Sequence, residues 1–165
     1  MPDFQTLLIY AIPLIFAITV HEIAHGWVAN LCGDGTAKML GRLTLNPIKH
    51  IDPIGTIAVP AILYFTGSPF LFGWAKPVPI NFNALKSPKQ DMILVALAGP
   101  ISNFIMAIFW LFLVIFFINT QNSLGLEMAK FGIIINLILG VFNLLPLPPL
   151  DGSRVVSALL PNKLA

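Results

Sequence analysis

The chain has 165 residues, of which 57% are hydrophobic and 10% charged, and 13 are Phe. So little polar surface cannot coat a soluble globule of this size, which excludes a water-soluble enzyme and leaves a membrane protein. A formal net charge of +2 says little about partners, and no nucleic-acid partner is expected; the single Cys32 excludes an intrachain disulfide and a thiolate zinc cluster, so a metal here would need His and carboxylate ligands.

The first apolar run, Phe4 to Leu31, predicts one long transmembrane helix with Gly33 near its C-terminal stop and Pro13 as a site for a kink. No n-region and cleavage site precede it, so it reads as a retained span and not as a signal peptide. Inside it stands "TVHEIAHGW", Thr19 to Trp27. His21 and His25 are four apart and share one helical face, so both imidazoles can converge on one metal ion. Glu22 follows at about 100° around the axis, where it can address a metal-bound water without being a ligand. The alternatives are a chance tetrad and polar pairing between helices, but ionisable groups inside a span default to function.

Ile54 to Ala75 carries Gly55, Pro60, Gly67, Ser68, Pro69 and Gly73, and predicts a re-entrant hairpin or broken span in place of a straight helix. Phe72 to Phe82, "FGWAKPVPINF", is too rich in proline for helix. It is either an extended edge able to pair with an unwound substrate by strand addition, or a plain connector. Met92 to Ile118 is the cleanest span, with Gly99 letting backbones approach and Asn103 serving close helix packing. Phe131 to Leu150 is the third; it must lose helical geometry near Pro146-Leu147-Pro148-Pro149. Asn136 is read as packing, and Asn143 as either a donor to a developing oxyanion or an interhelical hydrogen bond. The expected fold class is therefore an all-α integral membrane protein: three core transmembrane helices (about 4–31, 92–118 and 131–150) plus a broken or re-entrant segment (about 54–75), in one membrane-embedded domain over 1–165.

Lys38, Arg42, Lys49, Lys76, Lys86 and Lys89 lie between the first span and Met92, whereas the loop from Asn119 to Lys130 offers one lysine. Positive loops stay on the cytoplasmic side, so the long loop is expected inside, in a multi-pass protein of a prokaryotic plasma membrane. If 54–75 does not cross, the ends of the first and last spans share the cytoplasmic half. A catalytic zinc keeps three protein ligands and one open position, so one ligand is missing. The choices are Asp3, Asp34, His50, Asp52, Asp91, Glu127 and Asp151. Asp151, in "NLLPLPPLDGSR", sits at the inward end of the last span and is the best third ligand; its alternative is an Asp-Gly turn capping a helix that starts near Ser153. His50 and Asp52 are read as loop or interface groups.

"HEIAH", "AGPISN" and "NLLPLPPLDG" together resemble the three signature segments of the site-two protease family of intramembrane zinc metalloproteases, peptidase family M50. "GRLTLNPIKHIDPIGT" and "FGWAKPVPIN" resemble its compact prokaryotic branch, and the likeness covers Ile18 to Arg154. The resemblance implies one Zn2+ per chain held by His21, His25 and Asp151, with Glu22 as catalytic acid/base and Asn143 at the active site. It also implies cleavage of transmembrane segments of substrate proteins within the bilayer. No PDZ-like or CBS-like regulatory domain is expected within these residues. Two other classes stay open beside it: a metal-ion transporter, in which broken helices line a pathway, and a non-catalytic scaffold stapled by zinc.

Overall fold

The computed structural model describes residues 4–68 and 73–161. Helix α1 (Phe4–Leu31) runs unbroken through Pro13. It stops where the sequence calls for it: Gly33 adopts φ +115°, a left-handed conformation open to glycine, and the Asp34 N–H closes onto the Ala29 carbonyl at 2.9 Å. A single turn, α2 (Thr36–Met39), and a 3₁₀ turn, Pro47–His50, follow. Asp52 then caps a π-helical turn, Pro53–Ala58, by accepting from Ile54 N and Gly55 N, and the turn leads into α3 (Val59–Phe65). Residues 53–65 reach about 20 Å at 1.5 Å per residue, short of the roughly 30 Å of a bilayer core. The expected broken segment is thus what forms.

Residues 69–72 lie outside the described residues, and with them Phe72 of the predicted extended stretch. Residues 73–81 form neither helix nor turn, and no strand forms among the described residues, so the predicted edge is not built as a strand here. Side chains, in place of a ladder, hold this segment: Arg42 Nη2 donates to the carbonyls of Lys76 (2.9 Å) and Pro77 (3.3 Å), and the Asn81 N–H donates to Asp34 Oδ2 at 2.6 Å. The Lys76 N–H also reaches the His50 carbonyl at 2.9 Å. Burial by itself would raise the Asp34 carboxyl, but hydrogen bonds from the Thr36 hydroxyl, the Thr36 N–H and the Asn81 N–H outweigh it and hold the group below the usual carboxylate range.

After a 3₁₀ turn at Phe82–Ala84 come α4 (Pro88–Asn119) and α5 (Ser123–Asn143). Helix α4 starts four residues before the predicted apolar run, because Pro88 occupies its first turn and Asp91 Oδ2 accepts the Ser87 N–H at 2.7 Å. Helix α5 starts at Ser123 where the apolar run begins at Phe131, with Asn122 as N-cap accepting from Gly125 N; Glu127 and Lys130 ride on its first turns. It ends at Asn143 and not at Leu150, since the prolines that follow cannot continue it. Helix α6 (Asp151–Leu159) completes the described chain.

Helices α1, α4 and α5 pack on one another and α6 packs on α4. Many of the buried residues are small (Ala17, Ala29, Ala96, Ala107 and Ala129), and Gly132 of α5 leaves room for the buried Trp110 ring of α4, while Ile105, Phe112 and Phe116 are exposed. In a bilayer this is the expected arrangement, because lipid tails are as apolar as leucine and helices gain by close backbone approach. Helices α1, α4 and α5 are each long and apolar enough to cross a membrane.

Candidate metal centre

Two imidazoles project from α1 on one face, and the first turn of α6 brings a carboxylate to meet them. His21 Nε2 and His25 Nε2 each lie 3.2 Å from Asp151 Oδ2, and 3.0 Å from each other. The three atoms form a triangle. Tetrahedral zinc with ligands at about 2.0–2.1 Å sets neighbouring ligand atoms roughly 3.3 Å apart, so the spacing fits that ion.

The outer nitrogens decide where the lone pairs point. His25 Nδ1 sits 2.7 Å from the Val95 carbonyl oxygen, an acceptor only, so Nδ1 carries the proton. His21 Nδ1 sits 2.6 Å from Asn103 Oδ1. Both Nε2 atoms therefore turn lone pairs toward each other and toward a carboxylate, with His21 7% and His25 6% exposed. Asp151 Oδ2 is itself buried without a hydrogen-bond donor. Three acceptors facing one point repel one another unless a cation joins them, and the donor set of two imidazoles and one carboxylate suits zinc.

Glycine makes the room. A Cβ at Gly99 would clash with His25 Nε2 and lie 2.6 Å from His21 Nε2. The sequence reading gave Gly99 to helix approach; its place in α4 is against the imidazoles. Gly152 likewise sits where a Cβ would strike the carbonyls of Leu144 and Leu145, so the Asp-Gly pair lets α6 start hard against the end of α5. The Asp151 carboxylate does not cap α6.

Glu22 lines the same cavity of about 300 Å³, and so do Val78, Ile80, Asn143 and Arg154. Its Oε2 accepts the Val78 N–H at 2.7 Å, which fixes the carboxylate beside the triangle and outside it. Asn143 Nδ2 donates to the Leu139 carbonyl at 2.9 Å and has a second amide hydrogen left. Arg154 stacks its guanidinium 4.8 Å above the Phe82 ring at the rim.

The other ligand candidates are elsewhere. His50 is buried and joined to the Thr44 carbonyl at 2.9 Å, Asp52 caps its turn, Asp34 and Asp91 hold backbone N–H groups, Glu127 lines a separate pocket with Gln5 and Ser123, and Asp3 lies outside the described residues. Among the described residues His21, His25 and Asp151 form the one cluster able to hold a metal ion. What sequence reasoning missed is the support behind it. Asn103 and Asn136, assigned to packing, are both wholly buried, and Asn103 contacts a ring nitrogen of His21.

The profile of peptidase family M50 matches residues 9–131 and 118–164. Over 161 residues the chain is 46% identical to YwhC of Bacillus subtilis (strain 168), whose given name marks it as a candidate zinc metalloprotease; the match covers 91% of this chain and 68% of that protein. It is 28% identical over 150 residues to the zinc metalloprotease MJ0392 of Methanocaldococcus jannaschii, covering 91% of this chain and 34% of that one. Against the regulator of sigma-E protease RseP of Escherichia coli (strain K12) it is 37% identical over 120 residues, 64% of this chain and 25% of that one. No solved structure matches.

Proposed function

The chain belongs to peptidase family M50, a family of zinc metalloproteases, and from that premise we propose that it is an intramembrane endopeptidase cutting peptide bonds in or near transmembrane segments of membrane-protein substrates. The observation that carries the proposal is the triangle of His21 Nε2, His25 Nε2 and Asp151 Oδ2, set beside Glu22 within a bundle of apolar helices. In this reading His21, His25 and Asp151 hold one Zn2+, and residues 1–165 act as a single membrane-embedded protease domain. The ion supplies Lewis acidity and lowers the pKa of water from 15.7 to about 7.

The protein groups do the rest. Glu22, tethered by Val78, takes the proton from the attacking water and hands it to the leaving amine. Asn143 turns its remaining amide hydrogen toward the developing oxyanion, a contact of about 3 kcal/mol when well aimed. A helical substrate has its carbonyls locked in hydrogen bonds, so it must unwind, and its freed groups need partners in a dry site. The stretch through Val78 and Ile80 at the cavity wall supplies them by strand addition, with the Val78 N–H itself kept for Glu22. His21, His25 and Asp151 would supply the three protein ligands of a catalytic zinc, whereas a structural staple would need a fourth. The basic long loop orients the centre toward the cytoplasmic half of a prokaryotic plasma membrane.

The test is cleavage of a single-span substrate by detergent-purified protein. A cut inside the apolar stretch that a chelator abolishes and zinc restores is expected. An uncut substrate with one zinc bound per chain would defeat the proposal and favour the scaffold.

A further inference from the structure

We propose that Asn136 on α5 is a positioning residue for the metal centre: acting through Asn103 on α4, it fixes His21 on α1 as the Nδ1–H tautomer with its Nε2 lone pair toward Asp151. This rests on the metal-centre reading above. The argument starts at the far end, where the polarity is fixed. The Gly132 carbonyl can only accept, so Asn136 presents Nδ2 to it at 2.8 Å. That leaves Asn136 Oδ1, an acceptor, facing Asn103, which must answer with Nδ2 at 2.9 Å. The same Nδ2 reaches the Ala17 carbonyl at 3.3 Å. Asn103 therefore turns Oδ1 toward His21 Nδ1 at 2.6 Å, and an acceptor there requires the ring to carry its proton on Nδ1.

Each link follows from the one before, and both amides are 0% exposed, so no bulk water can replace a member. An asparagine alone beside a histidine would settle nothing, since its amide can turn either way. A reversed Asn103 would offer its NH₂ group, draw the ring to the Nε2–H tautomer and aim a proton into the triangle. Asn136 at 2.9 Å removes that freedom more firmly than the Ala17 carbonyl, which the same Nδ2 meets at only 3.3 Å. His25 has no such need, because a backbone carbonyl, that of Val95, fixes its ring directly. The two imidazoles thus reach one tautomer by different means, and His25 serves as an internal control.

The readout is the protonation of the ring nitrogens in ¹⁵N-histidine-labelled, metal-free protein in detergent micelles, alongside zinc affinity. In the parent, His21 and His25 should both be Nδ1–H. Asn136→Leu, and Asn136→Ala where the larger side chain disturbs folding, should give mixed tautomers at His21 with His25 unchanged, and zinc affinity lower by about 10–100-fold. Asn136→Asp should restore both, because a carboxyl so deeply buried stays neutral and offers the same acceptor and donor pair. A single Nδ1–H tautomer at His21 in the Leu and Ala variants, or an Asp variant that loses zinc with the ring unmoved, would overturn the relay. If the tautomers shift as stated while the parent takes up no zinc, the relay stands and the metal reading fails.

Discussion

Replacing Gly99 by Ala isolates the metal centre from the stability of the fold. The added methyl carbon would lie 2.6 Å from both Nε2 and Cε1 of His21 and would press still closer on His25 Nε2. Ordinary contact begins near 3.5 Å, so the rings must retreat by about 1 Å. Ligand positions around a metal tolerate only about ±0.2 Å, so the two imidazoles can no longer close on one ion. The fold suffers less: overpacking costs about 1–3 kcal/mol, and exchanging glycine for alanine within a helix returns about 0.5–1 kcal/mol. The expected variant is a folded protein with zinc content well below one per chain, measured by elemental analysis beside thermal unfolding in detergent. Gly140→Ala is the control, since its methyl would meet the Phe104 ring at 3.1 Å, away from the imidazoles, and should keep its zinc. A folded Gly99→Ala protein with full zinc and parental affinity would refute the reasoning.

Asp151→Ala should lower zinc affinity by more than the roughly 10–100-fold that loss of an outer partner costs, while His50→Ala and Asp52→Ala leave it unchanged; equal losses from His50 or Asp52 would relocate the third ligand. Asp34→Asn should lower the melting temperature at neutral pH, because a charged acceptor contributes about 1.5–3 kcal/mol. With its carboxyl held below the usual range, that contribution is complete above about pH 4 and is lost as pH falls through the lowered value, so parent and variant melts should converge in acid; a constant gap would contradict it. Cysteines at Lys38, Lys89 and Arg154 on a background without Cys32 should react with an impermeant thiol reagent from the cytoplasmic side alone. Labelling at Arg154 from outside would mean that the chain crosses once more between α1 and α4.

The features legible in the sequence are those with a local period. The i, i+4 spacing of His21 and His25 places them on one face without knowledge of any partner, Gly33 marks the end of α1, and the glycines and prolines of 54–75 announce a break that the short Pro53–Phe65 helical stretch bears out. Polar residues make α5 harder to delimit: Glu127 and Lys130 interrupt the apolar run, yet the helix starts before them at Ser123. What stayed hidden depends on pairing across the chain. Asn103 meets His21 from 82 residues away and Asn136 from 33, and the same short amide reads equally well as packing until its partner is known. The hold of Arg42 and Asp34 on Lys76 and Asn81 is hidden for the same reason. Gly99 shows the limit within a single motif, since its spacing to Asn103 suggests helix contact while its function is to leave space for two rings.

The most direct measurement is a paired one on Glu22→Gln: zinc per chain and cleavage of a single-span substrate, on the same preparation. Glu22 stands outside the triangle, with one oxygen held by the Val78 N–H, and an amide cannot accept the water proton. Full zinc with cleavage reduced at least 100-fold is predicted, since positioned proton transfer contributes about 10²–10⁴-fold. Zinc lost together with activity would move Glu22 into the coordination shell, and cleavage unchanged from the parent would contradict the account at its centre.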